Sequence, residues 1–413
     1  MKSSELIGKR VVIAPFSTDA VFLYHQLRRD GVEVAAFMDK DVSLHKSSYL
    51  GTMIIPYFHF EGKDMAAVIA KPGYIQNDSV IYHELIAVNY CSNEIIRQAD
   101  IDFCCRIQEI REDIDLYGLS KIRNADWIHL LKRKIYEYTV ENGFSVHAMN
   151  LVVTTRCTLK CKGYCALMDY FYPSSQRDMD LEKTMYAYDM LMEHVDYIDE
   201  LVPIGGETFL HKDMDRLLLH VAKSPYTYKI GRVLLITNGT IIPSKSTMEI
   251  LGLHADLFQV ALSDYGTSSS KRLELVSLLN QYGCDYQNHV HDIWYLTNLP
   301  TTPLPGLKEE EIREKCQQCD CRAGGRLRIV ENKVYSCHFV AFAAECHAIP
   351  QNRLDYLDVD TDEISKERLR EFVDEIHPGM AYCNSPSSKD KTSNILIPVG
   401  KQIKTVQECV RYE

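Results

Sequence analysis

Three cysteines that follow a short apolar segment are the residues of this 413-residue chain whose type and spacing point most directly to chemistry. Cys157, Cys161 and Cys165 come directly after the β-branched run Leu151 to Thr155, which predicts a buried strand. Parallel α/β barrels carry their reactive groups on the loops that follow strands. Thiolates are soft ligands, so three in one loop favour an iron–sulfur cluster over a hard cation. Such a cluster keeps one iron open to a small molecule, and a zinc site stays the alternative.

The cysteine loop resembles the motif of the radical S-adenosylmethionine (radical SAM) superfamily. That motif is Cys-x3-Cys-x2-Cys with an aromatic residue before the third cysteine, and Tyr164 fills the aromatic position here. The second spacing differs, because Lys162, Gly163 and Tyr164 stand where the family has two residues. Gly163 can absorb the extra residue, since glycine adopts positive φ without steric cost. The resemblance implies a 4Fe–4S cluster on the three cysteines, with SAM bound at the open iron.

Three further segments resemble SAM-contacting motifs of this superfamily, in the family order and each at the end of a predicted strand. Gly205-Gly206-Glu207 resembles the Gly-Gly-Glu segment that holds the amino group of SAM. Thr237-Asn238-Gly239 resembles the family's Thr-Asn-Gly segment, and Ser263 resembles the serine that contacts the ribose. The cofactor-binding residues that the resemblance implies are Tyr164, Gly205, Gly206, Glu207, Asn238 and Ser263.

The elements that would position these motifs alternate between apolar strands and helical patterns. Between the strands, helical periodicity is found at Leu181 to His194, Met214 to Lys223, Ser244 to Leu253 and Ser269 to Tyr282. This alternation predicts parallel βα units with right-handed crossovers. Together with the resemblance, it implies an α/β fold in which residues 149–300 form a partial (βα)6, TIM-like radical SAM barrel.

The chain before the barrel predicts a Rossmann-like α/β domain at residues 1–98 and a helical connector at residues 99–148. Lys9 to Ala14 and Val32 to Met38 are predicted strands around a helix that Ser17 or Thr18 caps, with further strands at Met53 to Pro56 and Ser79 to Tyr82. Asp39 follows the second strand, where Rossmann folds hold a ribose, but the first turn lacks Gly-x-Gly-x-x-Gly. A packing or partner-binding role and a nucleotide or nucleotide-sugar pocket both stay open.

Residues 301–413 contain a second group of cysteines. The predicted hairpin before Cys337 resembles the twitch or SPASM extension of radical SAM proteins, with Asn332 where the family has glycine. The resemblance implies a small cysteine-rich region that binds an auxiliary 4Fe–4S cluster, and structural zinc is the alternative. The implied ligands are Cys316, Cys319, Cys337 and Cys383, with Cys321 competing for a place. Other cysteines and histidines of the region, Cys346, Cys409, His338 and His347, are predicted to be structural.

Composition narrows the class of protein. A net charge of −11 disfavours a nucleic-acid partner, which selects clustered Lys and Arg. No apolar run reaches the roughly 18 residues of a membrane span, and the first residues lack the apolar core of a signal peptide. Fourteen cysteines without a secretion signal favour metal or redox chemistry over disulfides. We therefore expect a cytoplasmic protein with no nucleic-acid or membrane partner.

The resemblance also implies a reaction. A reductant such as flavodoxin or ferredoxin would supply one electron, SAM would be cleaved to a 5′-deoxyadenosyl radical, and this radical would abstract hydrogen from the substrate. We expect an oxidoreductase or epimerase of a biosynthetic pathway that acts on a small polar, nucleotide-linked or carbohydrate substrate. No catalytic side chain is assigned. A peptide-modifying radical SAM maturase is the alternative, and a non-catalytic metal-binding or redox-sensing protein is the alternative from another class.

Overall fold

Two sheets made mostly of parallel strands organise this chain. A computed structural model describes residues 3–59, 65–70, 79–98, 101, 107–123, 125–163, 166–266, 270–290, 293–296, 308–317, 319, 322, 325–383, 396–409 and 411–412. The chain divides into two units, Met1–Glu141 and Asn142–Glu413. The helices α3 to α5 defined below fall in the first unit, while the predicted division into four parts stays a prediction. No helix within the described ranges is both long and apolar enough to cross a membrane.

Among its described residues, the first unit contains one sheet, in the order β3-β4-β2-β1-β5-β6, and five α-helices. Its strands are β1 (Arg10–Ala14), β2 (Glu33–Met38), β3 (Ser48–Tyr49), β4 (Thr52–Ile55), β5 (Met65–Ile69) and β6 (Ile95–Arg97). Its helices are α1 (Thr18–Arg29), α2 (Ser79–Ala87), α3 (Ile107–Ile110), α4 (Leu116–Ile122) and α5 (Ala125–Thr139). All pairs are parallel except β3 with β4. The five parallel strands lie in the order β4-β2-β1-β5-β6 across the sheet. Renumbered 1 to 5 along the chain, they have the order 3-2-1-4-5, which doubly wound dinucleotide-binding sheets share.

Local chemistry explains where α1 begins and ends. The Ser17 side chain accepts a hydrogen bond from the Ala20 N–H at 3.2 Å, which caps the first turn as predicted. Asp19 lies in the first turn, and Arg28 and Arg29 lie in the last, so the charges oppose the helix dipole at both ends.

One predicted strand of the first unit is wrong. The segment from Ser79 to Tyr82 begins the helix α2. Ile81 and Leu85 are 4% and 0% exposed, and their spacing of four residues puts both on one helical face. The apolar run was too short to separate helix from strand by its periodicity.

Asp39 follows β2 as predicted, but protein groups already occupy its carboxylate. Its Oδ2 accepts the Phe16 N–H at 3.0 Å, and its Oδ1 accepts the Asp41 N–H at 2.9 Å. The Arg123 guanidinium lies 3.6 Å from Oδ2. In this structure Asp39 therefore connects the ends of β1 and β2.

The second unit contains an eight-stranded sheet in the order β11-β10-β9-β8-β7-β13-β14-β15, and a separate pair of strands, β12 and β16. Its strands are β7 (Ser145–Thr154), β8 (Tyr197–Gly205), β9 (Ile230–Thr237), β10 (Phe258–Asp264), β11 (Asp285–Val290), β12 (Ile293–Tyr295), β13 (Arg326–Val330), β14 (Lys333–Tyr335), β15 (Tyr356–Asp358) and β16 (Leu396–Pro398). Its helices are α6 (Leu181–His194), α7 (Met214–Lys223), α8 (Lys245–Leu253), α9 (Arg272–Tyr282), α10 (Glu309–Gln317), α11 (His338–Glu345) and α12 (Lys366–Asp374).

The α/β class is as predicted, but the sheet is not a run of six successive βα units. The strands β7 to β11 pair in parallel and in chain order. The sixth parallel strand is β13, which comes from the predicted cysteine-rich region and pairs with the outer edge of β7. There it satisfies the backbone groups of that edge. β12, which follows β11, instead pairs with β16 in antiparallel fashion.

β7 lies inside the sheet, between β8 and β13, and both of its faces are covered. Met149, Leu151 and Val153 pack in one apolar core together with helices α6 and α7. Val152 points to the opposite face, where it packs in a second core with residues of β8 and α11. A strand buried on both faces is the expected position for the first strand of a parallel sheet. It fixes the start of the cysteine loop.

Candidate metal and cofactor site

The cysteine loop leaves the end of β7 and is held at its first residue by an ion pair. Arg156 donates from Nε and Nη2 to the two carboxylate oxygens of Asp178, both at 2.9 Å. The Thr154 hydroxyl donates to Asp178 at 2.7 Å, and Arg156 also donates to the Leu210 carbonyl. Bidentate pairs of this kind fix orientation as well as distance. The loop therefore leaves the strand in a defined direction.

Two of the three predicted cluster ligands lie on the described part of this loop. Cys161 is buried and Cys157 is half-buried. Burial raises the pKa of Cys157 to about 12, and burial also raises the pKa of Cys161. Cys165 and Tyr164 lie outside the described residues, so their roles stay predictions.

Gly205 and Gly206 bring the end of β8 against this loop. A Cβ on Gly205 would lie 2.0 Å from the Thr154 carbonyl oxygen. A Cβ on Gly206 would lie 2.3 Å from the Arg156 carbonyl oxygen and 2.6 Å from the Cys157 Cβ. Real Cβ atoms do not approach so closely, so the two glycines are required for the contact between β8 and the cysteine loop.

Glu207 holds the end of β8 to the end of β9. Its carboxylate accepts the Thr237 hydroxyl and the Asn238 N–H, both at 2.8 Å. The side chain is fully buried, and burial raises the pKa of Glu207 to about 6. The resemblance implies that Glu207 contacts SAM, whereas in this structure its carboxylate is bonded to the protein and does not line the cavity described below.

Asn238 connects the third motif to the cysteine loop. Its amide nitrogen donates to the Thr158 hydroxyl at 3.2 Å and lies 3.8 Å from the Cys157 Sγ. Its amide oxygen accepts the Thr240 N–H at 3.0 Å, which fixes the orientation of the amide. The structure therefore brings Cys157 and Asn238 together, although they are 81 residues apart in the chain.

A small cavity adjoins the two thiols. Its lining includes Cys157, Cys161, Asn238 and two aromatic residues that the sequence did not indicate, Tyr265 and Trp294. The two aromatic rings meet edge to face with centroids 5.1 Å apart. The cavity volume is about 30 Å³.

Ser263 lies at the end of β10, where the sequence places it. It is 5% exposed and pairs in register with His289 on β11. It is not among the residues that line the cavity. Its contact with a ribose stays a prediction.

Three of the four predicted auxiliary ligands lie in or next to three different elements of the second unit. Cys316 lies in α10, Cys337 precedes α11, and Cys383 follows the 3-10 helix Pro378–Tyr382. The pKa of Cys337 is raised to about 12, mainly by burial, and the nearby thiols of Cys383 and Cys319 contribute to the rise. Cys321 lies outside the described residues. Within the described ranges, no three His, Cys, Asp or Glu side chains are close enough to share one ion.

In the hairpin before Cys337, the residue with left-handed backbone is not Asn332, which stands where the family has glycine. It is Glu331, one position earlier, with φ of 56°. The Glu331 carboxylate accepts the Asp180 N–H at 3.1 Å and pairs with Arg177, which holds the turn from outside. The Asn332 amide instead donates to Asp358 at 2.9 Å.

The residues predicted to be structural differ in their environments. Cys346 is buried, and its thiol donates to the Ala343 carbonyl at 3.6 Å. His338 is buried against the Phe342 ring, and burial lowers its pKa to about 3. Its Nε2 has no hydrogen-bond partner in the part of the chain that the structure describes. His338 is therefore a core residue, with one ring nitrogen that forms no hydrogen bond among the described residues.

Besides Tyr265 and Trp294, two further residues near the cysteine loop were not predicted from the sequence. Asp169 is 1% exposed and accepts the Gly163 N–H at 2.8 Å, and burial raises the pKa of Asp169 to about 6. The Gln402 side-chain amide donates a hydrogen bond to the Cys161 sulfur, although the two residues are 241 positions apart in the chain. Neither residue belongs to a motif, and no local pattern could have found them.

Comparisons with known proteins return structures but no sequence families. No model of a known family matches, and no curated protein matches. One matched structure is anSMEcpe with bound AdoMet and a Cp18Cys peptide, at 20% identity over 35% of this chain and 42% of that chain, with a TM-score of 0.27. A second is SuiB of Streptococcus suis bound to S-adenosylmethionine, at 16% identity over 67% and 78% of the two chains, with a TM-score of 0.31.

A third matched structure is the FeFe-hydrogenase maturase HydG from Carboxydothermus hydrogenoformans. The identity is 14% over 45% of this chain and 47% of that chain, with a TM-score of 0.23. The chain thus spans about two fifths of the length of anSMEcpe and about half of HydG. Two of the three matched structures contain bound AdoMet or S-adenosylmethionine.

Proposed function

We propose that this chain is a radical SAM enzyme that cleaves SAM reductively and abstracts hydrogen from a small polar or nucleotide-linked substrate. The observation that carries the proposal is the meeting of three motifs at one edge of the sheet. Gly206 contacts the cysteine loop beside Cys157, and Asn238 reaches that loop from the next strand. The carboxyl ends of parallel strands are where α/β folds bind their ligands.

The residues present fit an iron–sulfur cluster with SAM. Cys157 and Cys161, with Cys165, would hold the cluster, since soft thiolates at one loop suit iron. When bound, the cluster and SAM supply a 5′-deoxyadenosyl radical that can take hydrogen from an unactivated carbon. Burial keeps Cys157 and Cys161 protonated by raising the pKa of both thiols. Because metal ligation needs thiolates, binding of the cluster has to release these protons.

The chain's own residues orient the cofactor and exclude water. Gly205 and Gly206 let the backbone of β8 line the cavity next to the thiols. Glu207 acts by holding β8 to β9, so we propose that it positions the backbone around SAM. Tyr265 and Trp294 line the cavity, and we propose that their rings exclude solvent from it. Tyr164 and Ser263 complete the proposed set of cofactor residues.

We also propose an auxiliary 4Fe–4S cluster on Cys316, Cys319, Cys337 and Cys383, with structural zinc as the alternative. The support is that Cys319 and Cys383 lie near enough to Cys337 to help raise the pKa of its thiol. A metal would have to draw these thiols closer together, and metal binding is commonly coupled to local folding in this way.

The substrate class rests on the first unit. Its parallel strands have the order of dinucleotide-binding sheets, which favours a small polar or nucleotide-linked substrate. A peptide is the alternative, the class of ligand present in the anSMEcpe structure. Dehydrogenation and epimerisation both stay open as outcomes. The reductant would be flavodoxin or ferredoxin, and a cytoplasmic location stays part of the proposal.

The decisive experiment is anaerobic reconstitution with iron and sulfide, followed by dithionite and SAM. The wild type should release 5′-deoxyadenosine, and replacing Cys157, Cys161 and Cys165 together with Ala should abolish this release and remove about four irons. Cys284→Ala is the control, because this buried thiol donates to the Met248 carbonyl within the core. SAM cleavage by the triple variant would refute the assignment. Zinc without iron would favour the non-catalytic alternative.

A second experiment separates the substrate classes. Reconstituted enzyme is incubated with a panel of nucleotide sugars or with a panel of peptides, and the yield of 5′-deoxyadenosine is measured. A productive substrate should raise that yield above the value with SAM alone. Stimulation by peptides only would replace the proposed substrate class with its alternative.

A further inference from the structure

The end of the chain crosses the cysteine loop. We call residues 396–403 the C-terminal strap; it begins with β16, which pairs with β12. Cys161 and Gln402 form an antiparallel bridge. On either side of this bridge, the Lys162 N–H donates to the Lys401 carbonyl at 2.8 Å and the Ile403 N–H donates to the Lys160 carbonyl at 2.9 Å. The strap therefore pairs with the loop as a short strand would.

The Gln402 side chain lies over the loop in a fixed orientation. Its Oε1 accepts the Lys160 N–H at 2.6 Å, and its Nε2 donates to the Gly400 carbonyl at 2.8 Å. A backbone N–H requires an oxygen and a carbonyl requires a nitrogen, so these two contacts decide which end of the amide is which. The same Nε2 lies 3.1 Å from the Cys161 Sγ and donates to it.

Both chains of this contact are shaped for close approach. A Cβ on Gly163, which has φ of 72°, would lie 2.4 Å from the Leu296 side chain and 2.9 Å from that of Ile397. A Cβ on Gly400 would lie 2.7 Å from the Tyr265 Cβ. The glycine that lengthens the cysteine motif is therefore also the residue over which the strap packs. The unusual spacing and the strap belong to one arrangement.

We propose that Gln402 is a positioning residue of the SAM-binding cluster, which it serves by donating a hydrogen bond to the sulfur of Cys161. This inference rests on the proposed function. Hydrogen bonds to ligand sulfurs stabilise the electron-rich reduced form of a cluster and make its reduction potential less negative. The bond also holds Cys161 in its ligating position, so it should slow the loss of iron.

The test compares Gln402→Met and Gln402→Glu with the wild type after reconstitution. Met removes both the donor and the acceptor, whereas Glu keeps an oxygen for the Lys160 N–H but offers no donor to Cys161. Lys404→Ala is the control, since Lys404 is an exposed residue just beyond the strap. The readouts are the midpoint potential from a spectroscopic redox titration and the rate at which a chelator removes iron.

We expect both Gln402 variants to have a more negative midpoint potential than the wild type and the control. Iron release should be roughly tenfold faster, the effect of losing one hydrogen bond to a charged group. If the wild type carries the cluster, but both Gln402 variants keep its midpoint potential and its rate of iron release, this inference is overturned and the proposed function stands. If the wild type binds no cluster at this loop, the inference and the proposed function are both overturned. If Gln402→Met fails to fold, Gln402→Glu tests the inference by the same two readouts.

Discussion

Gly206 and Cys157 pack so closely that a Cβ on Gly206 would lie 2.6 Å from the Cys157 Cβ. We predict that Gly206→Ala pushes the cysteine loop away from β8. The strain should cost about 1–3 kcal/mol, as overpacking generally does. Iron content and SAM cleavage should both be lost or strongly reduced. Iron analysis and 5′-deoxyadenosine release after reconstitution measure the two effects.

Gly283→Ala is the matched control for this prediction. Gly283 follows α9 in left-handed backbone with φ of 69°, and nothing lies within 4 Å of the Cβ position. Alanine there should cost about 1–2 kcal/mol of stability through its backbone conformation. Iron content should stay normal. If Gly206→Ala loads iron as well as Gly283→Ala does, the contact with Cys157 has no role in holding the cluster.

The pair of Arg156 and Asp178 predicts a second effect on the loop. Asp178→Ala removes both hydrogen bonds to the guanidinium and should cost about 1 kcal/mol, since the side chains are 40% and 29% exposed. The loop should then lose iron several-fold faster to a chelator. Glu182→Ala is the control, because its pair with Arg216 is 66% and 59% exposed and should contribute little. If the two variants release iron at the same rate, the pair of Arg156 and Asp178 does not stabilise the cysteine loop.

Glu207 predicts a dependence of stability on pH. Its pKa is raised from 4.5 to about 6 by burial, so between these values the folded protein binds more protons than the unfolded chain. The free energy of unfolding must therefore fall as pH rises through this window. A shift of about 1.5 pKa units corresponds to about 2 kcal/mol.

Glu207→Gln should lack this contribution. At pH 4 the variant should be about as stable as the wild type, because the amide, like the protonated acid, can accept the Asn238 N–H with its oxygen and donate to the Thr237 hydroxyl. Because only the wild type loses stability on going to pH 7, the variant should be more stable than the wild type there by about 2 kcal/mol. Urea unfolding of the metal-free proteins at both pH values gives the comparison. Parallel pH profiles would show that Glu207 titrates normally in the fold.

The sequence predicted best what is local. The helical pattern from Leu181 to His194 coincides with α6, and that from Met214 to Lys223 coincides with α7, because both have apolar periodicity and clear ends. The motifs after β7, β8, β9 and β10 were placed at strand ends for the same reason. Apolar strands end where polar residues and glycines begin.

What the sequence could not predict is non-local. β13 pairs with β7 across about 175 intervening residues, and parallel pairing leaves no turn pattern in the sequence. The polar segment Asp285–Val290 carried too little apolar alternation to predict β11. Gln402 reaches Cys161 through tertiary folding alone. These contacts decide the shape of the site, whereas the motifs decide its chemistry.

The second group of cysteines gives the last prediction, which concerns the reaction type. Cys337→Ala should remove the auxiliary metal and spare the SAM-binding cluster, because Cys337 precedes α11 while the first cluster lies on the loop after β7. Cys346→Ala is the control, since this thiol is buried in the same apolar core and donates to a carbonyl. An electron-accepting cluster predicts that Cys337→Ala still cleaves SAM but forms no product, with about four irons fewer than the wild type. Structural zinc predicts loss of zinc and of stability with iron unchanged. A variant with wild-type metal content and product would show that Cys337 is an ordinary core cysteine.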